Sequence, residues 1–368
     1  MKKTKLIVKT KSKTYPIIIG SNILKKTSSI LKSNNISFNK CLIIADKRVP
    51  KKNLLSLKKQ ILSKTKLTHL FNSSEKNKNQ HSVNIILSKL YKNNFNRNDY
   101  VISLGGGITG DVAGYAASIY KRGLKFINIP STLLAQVDSS IGGKTGINNS
   151  YGKNLVGAFF QPDLVISDIN LLKSLSKREI ICGYGEIIKH SLIATKKTFN
   201  FLNKNKFKIL KLQSPYIEKA VSDSCKIKRN IVQLDEKEKN IRKVLNLGHT
   251  FAHAYEATLR YSGKLNHGEA VILGINSAVK FSLQNKLLNK NIHDQILSHI
   301  NHLKLPNNLN KYFNKKNIRS IIKFMKSDKK NNSININLIL LKDIGKPVIN
   351  LNFKINKIQS FLKKELIN

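Results

Sequence analysis

The sequence predicts an α/β plus all-α architecture, with a mainly parallel sheet in the first half and a mostly helical second half. At 368 residues the chain exceeds the usual size of a single hydrophobic core. Before residue 170, short apolar runs alternate with helical segments, which is the pattern of repeated βα units. After residue 168 the segments lengthen and their apolar positions recur at helical spacing. We therefore expect one domain at 1–170 and a second at 171–368.

The expected strands of the first domain are short and largely apolar, as in a sheet that is buried on both faces. They lie at 5–8, 15–19, 41–45, 101–104, 126–129 and 164–167. The expected helices of the second domain are longer, and a strand signal returns only near the end of the chain. These helices lie at 178–193, 216–233, 250–259 and 268–283, and the late strand lies at 334–341.

A glycine-rich loop follows the run at 101–104 and opens a helical segment. Its sequence matches the pattern G-x-G-x-x-G at Gly105, Gly107 and Gly110, with Gly106 inside the loop and Asp111 after it. Glycine allows positive φ and a close approach of the backbone to a pyrophosphate, and a helix N-terminus favours negative charge. The loop therefore predicts a Rossmann-like, nucleotide-binding domain; a tight turn that holds no ligand is the alternative.

One departure from this pattern concerns the adenosine contact. The acidic residue that normally follows the loop by about 20 residues is absent, because that position falls near Ile129 and Pro130. Asp46, which ends the apolar run at 41–45, is the natural substitute. A solvated aspartate in a turn is the alternative interpretation of this residue.

The net charge of +46 would ordinarily suggest binding to nucleic acid or to an anionic membrane. Here the excess is mostly lysine, spread along the chain among asparagine and isoleucine, while arginine, the preferred side chain for bases and phosphates, is scarce. A coding bias explains this pattern as well as selection does. We therefore expect no specific nucleic-acid partner and only weak adhesion to polyanions.

The cysteines and the hydropathy pattern indicate a cytoplasmic protein. Cys41, Cys182 and Cys225 are far apart, odd in number and form no C-x-x-C pair, which favours reduced thiols. No apolar stretch is long enough to span a bilayer, and the N-terminus lacks the unbroken apolar segment of a signal peptide. We expect no disulfide and no membrane association.

A long polar connection at 130–162 is a further candidate for function, and we expect it to join the two halves. It places Lys144 and Lys153 beside glycines, with Asp138, Asn148 and Asn154 nearby. Ammonium groups on such a segment can bind a phosphate or a carboxylate. The alternative is that they are two of many surface lysines.

The second domain contains four candidate metal ligands, Glu186, His249, His253 and His267. Imidazole nitrogen and carboxylate oxygen suit Zn²⁺, and three protein ligands leave one coordination position for a substrate. His249 and His253 are four residues apart and share a helix face, so spacing alone would place both on one metal. Spacing does not decide which three residues bind.

Nine segments, taken together and in order, resemble the 3-dehydroquinate synthase family. They are EKNK at 75, GGGITGD at 105, YKRG at 120, LLAQVDSSIGGKTGIN at 133, YGKNLVGAFFQP at 151, GEIIKH at 185, RKVLNLGHTFAH at 242, HGEAV at 267 and MKSDKK at 325. The resemblance extends from about residue 46 to residue 344. Several motifs in the family's order are far more specific than any one of them.

The resemblance implies an enzyme of the shikimate pathway that forms 3-dehydroquinate and phosphate from 3-deoxy-D-arabino-heptulosonate 7-phosphate. The family's reaction combines transient oxidation by bound NAD, β-elimination of phosphate, reduction, ring opening and aldol closure, and it requires a divalent metal, Zn²⁺ or Co²⁺. By the same resemblance the first domain binds NAD, the second binds the metal, and the reaction takes place in the cleft between them. The family is usually homodimeric.

The resemblance also implies roles for individual residues. Glu186, His249 and His267 would bind the metal, which leaves His253 as a catalytic or phosphate-side residue. The residues expected around NAD, from the glycine loop and from the resemblance, are Asp46, Glu75, Lys78, Gly105, Gly106, Gly107, Gly110, Asp111, Ser131, Thr132, Asp138, Ser139, Lys144, Lys153, Ser174 and Glu179. Those expected around the sugar phosphate and its carboxylate are Lys144, Asn154, Lys189, Lys228, Arg242, Asn246, Asp328, Lys329 and Lys330.

Two features qualify this resemblance. Gly185 stands where the family usually has alanine, although no ligand or charged position is lost. A metal-dependent polyol dehydrogenase with a similar NAD domain is the rival interpretation, and it would show net NADH production. The many cations expected at the site favour an anionic sugar-phosphate substrate instead.

Overall fold

The computed structural model describes residues 3–326 and 335–366. Its strands are β1 (Thr4–Lys9), β2 (Thr14–Gly20), β3 (Lys40–Asp46), β4 (Thr65–Phe71), β5 (Tyr100–Gly105), β6 (Lys125–Pro130), β7 (Lys144–Asn149), β8 (Gly152–Phe159), β9 (Leu164–Asp168), β10 (Asn335–Asp343) and β11 (Lys346–Lys354). Its α-helices are α1 (Thr27–Lys32), α2 (Lys51–Gln60), α3 (Gln80–Lys92), α4 (Gly107–Ile119), α5 (Lys177–Ala194), α6 (Lys196–Leu210), α7 (Tyr216–Leu234), α8 (His249–Thr258), α9 (His267–Gln284), α10 (Lys290–His302), α11 (Ile318–Lys326) and α12 (Ile355–Glu365).

The chain forms two compact units. The first consists of Met1–Ile180 with Leu212–Lys237, and the second of Ile181–Lys211 with Glu238–Asn368. The first unit therefore includes α7 as well as the main sheet. The α/β character of the first unit and the mostly helical character of the second confirm the predicted fold class.

The main sheet of the first unit has the strand order β1-β2-β9-β6-β5-β3-β4. Neighbouring strands from β2 to β4 run parallel, and β1 is an antiparallel edge strand. Alternate residues of β3 pack into different apolar cores, Cys41 and Ile43 into one and Leu42 and Ile44 into the other. This two-faced burial explains why the six predicted strands appear as nearly continuous apolar runs.

The strand β4 was not predicted. It lies at the edge of the sheet beside β3, and most of its residues are only partly buried. The segment TKLTHLF therefore lacks the apolar run by which the other parallel strands were recognised.

The segment 130–162 does not join the two units, so this expectation was wrong. It lies between β6 and β9 of the first unit and contains a π-helical turn at Ala135–Ser139 and the antiparallel hairpin β7-β8. One face of the hairpin is exposed and both strands contain glycine, which is why the segment was interpreted as a polar loop.

The second unit is centred on α9, which is buried at almost every position from Gly268 to Ser282. Helices α8 and α10 and strand β10 pack against it. The four predicted helices at 178–283 are present, with ends that differ by at most one residue, although α7 belongs to the first unit. The strand predicted at 334–341 pairs with β11, which was not predicted. In the part of the chain that the structure describes, no helix has the length and apolar composition needed to cross a membrane.

Candidate functional site

The chain order of the strands in the first unit reverses between β3 and β5. From β3 the chain continues to β4 on one side, whereas β5 and β6 lie on the other side. Such a reversal leaves a crevice outside the carboxyl ends of the two strands, where nucleotides bind. Asp46 is the last residue of β3 and Gly105 the last of β5. The structure thus brings the predicted adenosine contact and the glycine loop to one crevice.

The first part of the glycine loop faces the segment that follows β6. The backbone N–H of Ser131 donates to the carbonyl of Gly105 at 2.8 Å. A Cβ added at Gly106 would lie 3.1 Å from Cγ2 of Thr132. This backbone bond holds Ser131 and Thr132 beside the loop, where both were predicted to contact the cofactor.

The second part of the loop begins α4 and faces the π-helical turn. A Cβ added at Gly107 would lie 2.9 Å from the hydroxyl of Ser139, and one added at Gly110 would lie 3.3 Å from the amide of Asn128. A side chain at Gly107 would fill the space between the helix N-terminus and this hydroxyl. Glycine therefore lets the start of α4 lie close to the Ser139 hydroxyl, and it leaves the backbone N–H groups of the helix N-terminus uncovered by a side chain.

The Asp46 carboxylate is buried and pairs with Arg48, whose Nη2 lies 2.9 Å from Oδ2. Hydrogen bonding to Asp46 raises the pKa of Arg48 against the effect of burial, and the charge of Glu179 acts in the same direction as Asp46. The Glu179 carboxylate accepts hydrogen bonds from Ser176, and the Ser174 hydroxyl donates to a backbone carbonyl of its own turn. Asp46 is therefore a constrained acid and not a solvated turn residue.

Lys78 connects three of the predicted residues. Its buried ammonium lies 2.6 Å from Oδ2 of Asp111 and also donates to the side chain of Asn154. Burial raises the pKa of Asp111 above its usual value, and the positive charge of Lys78 opposes that rise. The segment after β4, the start of α4 and the β7-β8 hairpin are thus joined at one ion pair.

Glu75 extends this network along the same hairpin. Its carboxylate accepts a hydrogen bond from Nδ2 of Asn148 at 2.8 Å, and Nζ of Lys153 lies 3.4 Å away. The Asn148 N–H donates to the carbonyl of Lys78 at 2.8 Å. The exposed Glu75 and the partly buried Lys153 therefore lie at the same hairpin as the ion pair of Lys78.

Asp138 and Lys228 form a second ion pair in the first unit. Nζ of Lys228 lies 2.6 Å from Oδ1 of Asp138 and 2.8 Å from its backbone oxygen. Lys228 is buried in α7, and Asp138 lies in the π-helical turn that faces the glycine loop. The ion pair therefore holds α7 beside the π-helical turn that faces the glycine loop. The sequence did not predict this position of α7.

Lys144 begins β7 and is exposed. The preceding Gly143 has a φ of +66°, and a Cβ there would lie 2.7 Å from the side chain of Gln161. The turn at Gly143 therefore requires glycine, which explains the GGK sequence independently of any ligand.

The second unit gathers Glu186, His249 and His267 around one point. Nε2 of His249 lies 3.6 Å from Oε1 of Glu186, and Nε2 of His267 lies 4.0 Å from the same oxygen. One ligand atom from each residue lies within 4.8 Å of the other two. This spacing suits three ligands that each lie about 2.0–2.2 Å from a single zinc ion.

The environment of Glu186 fits a bound cation. The residue is fully buried, and neither carboxylate oxygen accepts a hydrogen bond from the described residues, although the Lys189 ammonium forms an ion pair with Oε2. A buried carboxylate with so few donors is unfavourable unless a further positive charge binds it. The donor set of one carboxylate and two imidazoles is also the one that Zn²⁺ and Co²⁺ accept.

The pKa values of His249 and His267 are shifted in opposite directions. Burial lowers the pKa of His249 well below its usual value, and the charge of Lys189 adds to this effect. Burial acts in the same direction on His267, but the Glu256 carboxylate outweighs it and raises the pKa of His267 to about 8. A metal that binds His267 at neutral pH must therefore displace a proton.

Each of these three residues has a glycine beside it in the sequence, and the glycines allow the helices to approach closely. A Cβ added at Gly268 of α9 would lie 2.1 Å from the carbonyl oxygen of Cys182 in α5. A Cβ added at Gly248, whose φ is +77°, would lie 2.6 Å from the backbone nitrogen of Ile275 in α9. A Cβ at Gly185 would lie 2.8 Å from the carbonyl oxygen of Gly268. Contacts between main chains therefore fix the backbone positions from which the side chains of Glu186, His249 and His267 extend.

His253 does not take the position that helical spacing alone favours. The group that contains Glu186 takes His249 and His267, because α9 packs against α8 and presents His267 at its first turn. His253 is exposed one turn along α8, with its ring centre 5.3 Å from that of His249. It belongs instead to an adjacent group with Glu256 and His267.

The remaining candidates of the second unit are placed as follows. Lys189 and Arg242 are buried, and Nδ2 of Asn246 donates to Oε1 of Glu238 at 2.6 Å. The sequence analysis did not identify Glu238 or Glu256. Helical spacing would have identified Glu256, which lies seven residues after His249, but nothing in the sequence marks Glu238. Asp328, Lys329 and Lys330 lie outside the described residues.

The first unit contains a parallel sheet of the kind that binds nucleotides. The second unit contains a buried cluster of one carboxylate and two histidines. These two features define a class of protein, the metal-dependent enzymes that use a dinucleotide. The 3-dehydroquinate synthase N-terminal model matches residues 68–182, and the C-terminal model of the same enzyme matches residues 183–331. The chain belongs to the 3-dehydroquinate synthase family.

A relative and two solved structures place the chain further. It is 61% identical over 362 residues to the 3-dehydroquinate synthase of Pelagibacter ubique (strain HTCC1062), with 98% of each chain covered. The fold is similar to that of 2-deoxy-scyllo-inosose synthase complexed with carbaglucose-6-phosphate, NAD⁺ and Co²⁺, with a TM-score of 0.86 and 24% identity over 98% of this chain and 100% of that one. It is also similar to that of 2-epi-5-epi-valiolone synthase from Streptomyces hygroscopicus subsp. jinggangensis 5008 with NAD⁺ and Zn²⁺ bound, with a TM-score of 0.84 and 22% identity over 98% and 99% of the chains.

Proposed function

We propose that this protein is a 3-dehydroquinate synthase, a phosphorus–oxygen lyase that converts 3-deoxy-D-arabino-heptulosonate 7-phosphate to 3-dehydroquinate and phosphate. The observation that carries the proposal is the 61% identity to a 3-dehydroquinate synthase over 98% of both chains. The separate matches to the N-terminal and C-terminal parts of the family agree with it.

We propose that NAD binds in the crevice of the first unit, with its diphosphate at the N-terminus of α4. Gly107 begins α4 without a side chain over the helix N-terminus, and Asp46 at the end of β3 supplies the ribose contact. The network of Glu75, Lys78 and Asp111 forms the side of the crevice near the hairpin. Bound NAD supplies a reversible hydride acceptor, so the overall reaction shows no net redox change.

We propose that Glu186, His249 and His267 hold Zn²⁺ or Co²⁺. The metal supplies a Lewis acid that lowers the pKa of a coordinated substrate hydroxyl and orients it. The protein holds these three side chains through close contacts between α5, α8 and α9. This requires both histidines to be neutral, which burial already ensures for His249.

We assign polar and charged side chains of each unit, taken separately, to the substrate's anionic groups. In the first unit these are Lys144, Asn154 and Lys228, and in the second Lys189, Arg242 and Asn246. Buried cations attract a phosphate or carboxylate more strongly than exposed ones, because water screens them less. Lys189, Lys228 and Arg242 are all buried. We assign His253 to exchange a proton on the phosphate side, because an imidazole can both donate and accept a proton.

The deciding experiment is phosphate release by purified, chelator-treated protein. The protein is given 3-deoxy-D-arabino-heptulosonate 7-phosphate with and without Zn²⁺ and a catalytic amount of NAD, while NADH absorbance is followed. We expect phosphate release that needs both additions, with no lasting NADH, and loss of release in Glu186→Gln. Folded, metal-loaded protein that releases no phosphate would contradict the proposal. Accumulation of NADH with a polyol would instead identify a dehydrogenase.

We also propose that the protein is a cytoplasmic homodimer. The β7-β8 hairpin exposes large apolar side chains, Tyr151, Leu155 and Phe159, at 90%, 43% and 43% of their surface. A second copy of the chain would cover such a face. Cys41, Cys182 and Cys225 are free thiols, as expected in a reducing compartment. Light scattering should give twice the chain mass for the wild type and the monomer mass for the double variant Leu155→Lys, Phe159→Lys.

A further inference from the structure

Glu256 is a buried acid beside the candidate metal site. It lies on α8 seven residues after His249, so it shares the helix face that carries His249 and His253. Its side chain is 9% exposed, and Oε2 lies 3.1 Å from Nδ1 of His267, the first residue of α9. The glutamate therefore contacts a candidate ligand on the ring nitrogen that points away from Glu186.

The protonation of the ring explains why this contact matters. A neutral imidazole carries its proton on one nitrogen, so a metal at Nε2 requires the proton to be on Nδ1. An ionised carboxylate only accepts hydrogen bonds, and Glu256 therefore selects that form of His267. His249 shows the same arrangement, with Nδ1 lying 3.3 Å from the carbonyl oxygen of Leu247 and Nε2 facing Glu186.

The two rings differ in what else holds them. The side chain of His249 is 11% exposed, whereas that of His267 is 36% exposed, so packing restrains the His267 ring much less. Asn266 and Glu269 form a capping box that fixes the backbone at the start of α9, but neither of these hydrogen bonds involves the ring of His267. The ring of His267 also makes an edge contact with His249 and stacks on His253, but these contacts do not distinguish its two nitrogens. The hydrogen bond to Glu256 acts on one named nitrogen and can therefore fix the direction of the ring.

We propose that Glu256 is a positioning residue that orients His267 and keeps its Nε2 free to bind the metal. The inference rests on the metal site assigned under the proposed function. A carboxylate behind a ligand histidine also makes the ligand more basic, and loss of such a partner weakens metal binding about 10- to 100-fold.

The test is Zn²⁺ affinity, measured with the metal alone by competition against a chromophoric chelator. Glu256→Gln keeps an acceptor oxygen but removes the charge, and Glu256→Ala removes both. Glu269→Gln is the matched control, because it removes the same charge from the first turn of α9 at the cap. All variants are measured at the same pH, and a second series at another pH separates competition from protons from the loss of the Glu256 contact.

We expect Zn²⁺ binding to weaken about 10-fold in Glu256→Gln and about 100-fold in Glu256→Ala, and to change less than about threefold in Glu269→Gln. At a pH where the ring is neutral, nitrogen NMR of the metal-free protein should show the His267 proton on Nδ1 in the wild type and a mixture of the Nδ1–H and Nε2–H tautomers in Glu256→Ala. Thermal unfolding identifies a variant that fails to fold, and in that case Glu256→Gln decides the question.

Three results would overturn the proposal. Unchanged affinity in Glu256→Gln and Glu256→Ala would show that the ring needs no such partner, and an equal loss in Glu269→Gln would show a general effect of the helix end. Two Zn²⁺ per wild-type chain and one per Glu256→Gln chain would assign Glu256 to a second ion with His253. A wild type that binds no Zn²⁺ would refute the metal site itself, which distinguishes that failure from a failure of this inference alone.

Discussion

The buried His299 makes the second unit sensitive to acid. Its Nδ1 lies 3.0 Å from Oδ1 of Asn203 and its Nε2 lies 3.0 Å from the hydroxyl of Tyr184. Because the amide oxygen only accepts, Nδ1 carries the proton and Nε2 accepts from Tyr184, so a second proton on Nε2 would require the Tyr184 hydroxyl to turn and accept instead. Burial, with smaller contributions from Lys206 and His302, lowers the pKa of His299 to about 3.

The lowered pKa of His299 makes the free energy of unfolding depend on pH. In the unfolded chain the imidazole titrates near 6.5, so between about pH 6.5 and pH 3 only the unfolded state gains the proton. The free energy of unfolding should then fall as the pH falls, by about 1.4 kcal/mol per pH unit. Between about pH 7.5 and about pH 5 the loss from His299 alone is about 2 kcal/mol. Tyr184 lies two residues before Glu186 on α5, so the same loss affects the helix that carries a metal ligand.

Urea unfolding followed by circular dichroism measures this loss. In His299→Gln the group that titrates is absent, so the decrease between about pH 7.5 and about pH 5 should be about 2 kcal/mol smaller than in the wild type. His302→Gln, an exposed position on the same helix, is the matched control and should behave as the wild type does. An equal decrease in the wild type and in His299→Gln would refute the reasoning.

Three further substitutions test the cofactor and metal sites. Lys78→Met removes the cation that lies 2.6 Å from the Asp111 carboxylate, and should lower the free energy of unfolding measured in urea by about 3–5 kcal/mol. The double variant that adds Asp111→Asn should regain much of this lost stability. Gly107→Ala brings a methyl group to 2.9 Å from the Ser139 hydroxyl, so this side chain or the start of α4 must shift, and NAD binding should weaken at least about tenfold by titration while the melting temperature stays within about 3 °C. Gly268→Ala must push α9 away from Cys182, and should lower both the melting temperature and the Zn²⁺ bound per chain.

Each of these expectations has a clear contradiction. A double variant no more stable than Lys78→Met would show that the unpaired Asp111 carboxylate is not the cause of the loss. Normal NAD binding in Gly107→Ala would place the diphosphate elsewhere. Full Zn²⁺ content in Gly268→Ala would show that the helix contact does not set the ligand positions.

Much of the fold follows from patterns that are local in the sequence. The central strands β3, β5 and β9 appear as apolar runs because both of their faces are buried. The strands that were missed, β4, β7, β8 and β11, are partly exposed, so their pattern is diluted by polar residues. The π-helical turn at Ala135–Ser139 carries no periodic signal at all, because it is a single turn.

The site was predictable where the family's motifs reach and unpredictable where it depends on packing between elements. Helical spacing pairs His249 with His253, but the packing of α9 on α8 brings His267 to Glu186 instead. The ion pair between Lys228 and Asp138 joins residues 90 positions apart, and no local pattern could reveal it. Glu256 is the exception, since its spacing from His249 was visible in the sequence.

The glycines beside the three ligands make the geometry of the metal site independent of most of the other side chains of the protein. Contacts between main chains at Gly185, Gly248 and Gly268 do not depend on which apolar side chains fill the surrounding core. The chain carries 66 lysines and arginines against 20 acids, an excess that mutational drift toward lysine would produce mainly on the surface. Mutational drift of that kind can replace exposed side chains extensively and still leave the distances between the ligand-bearing helices unchanged.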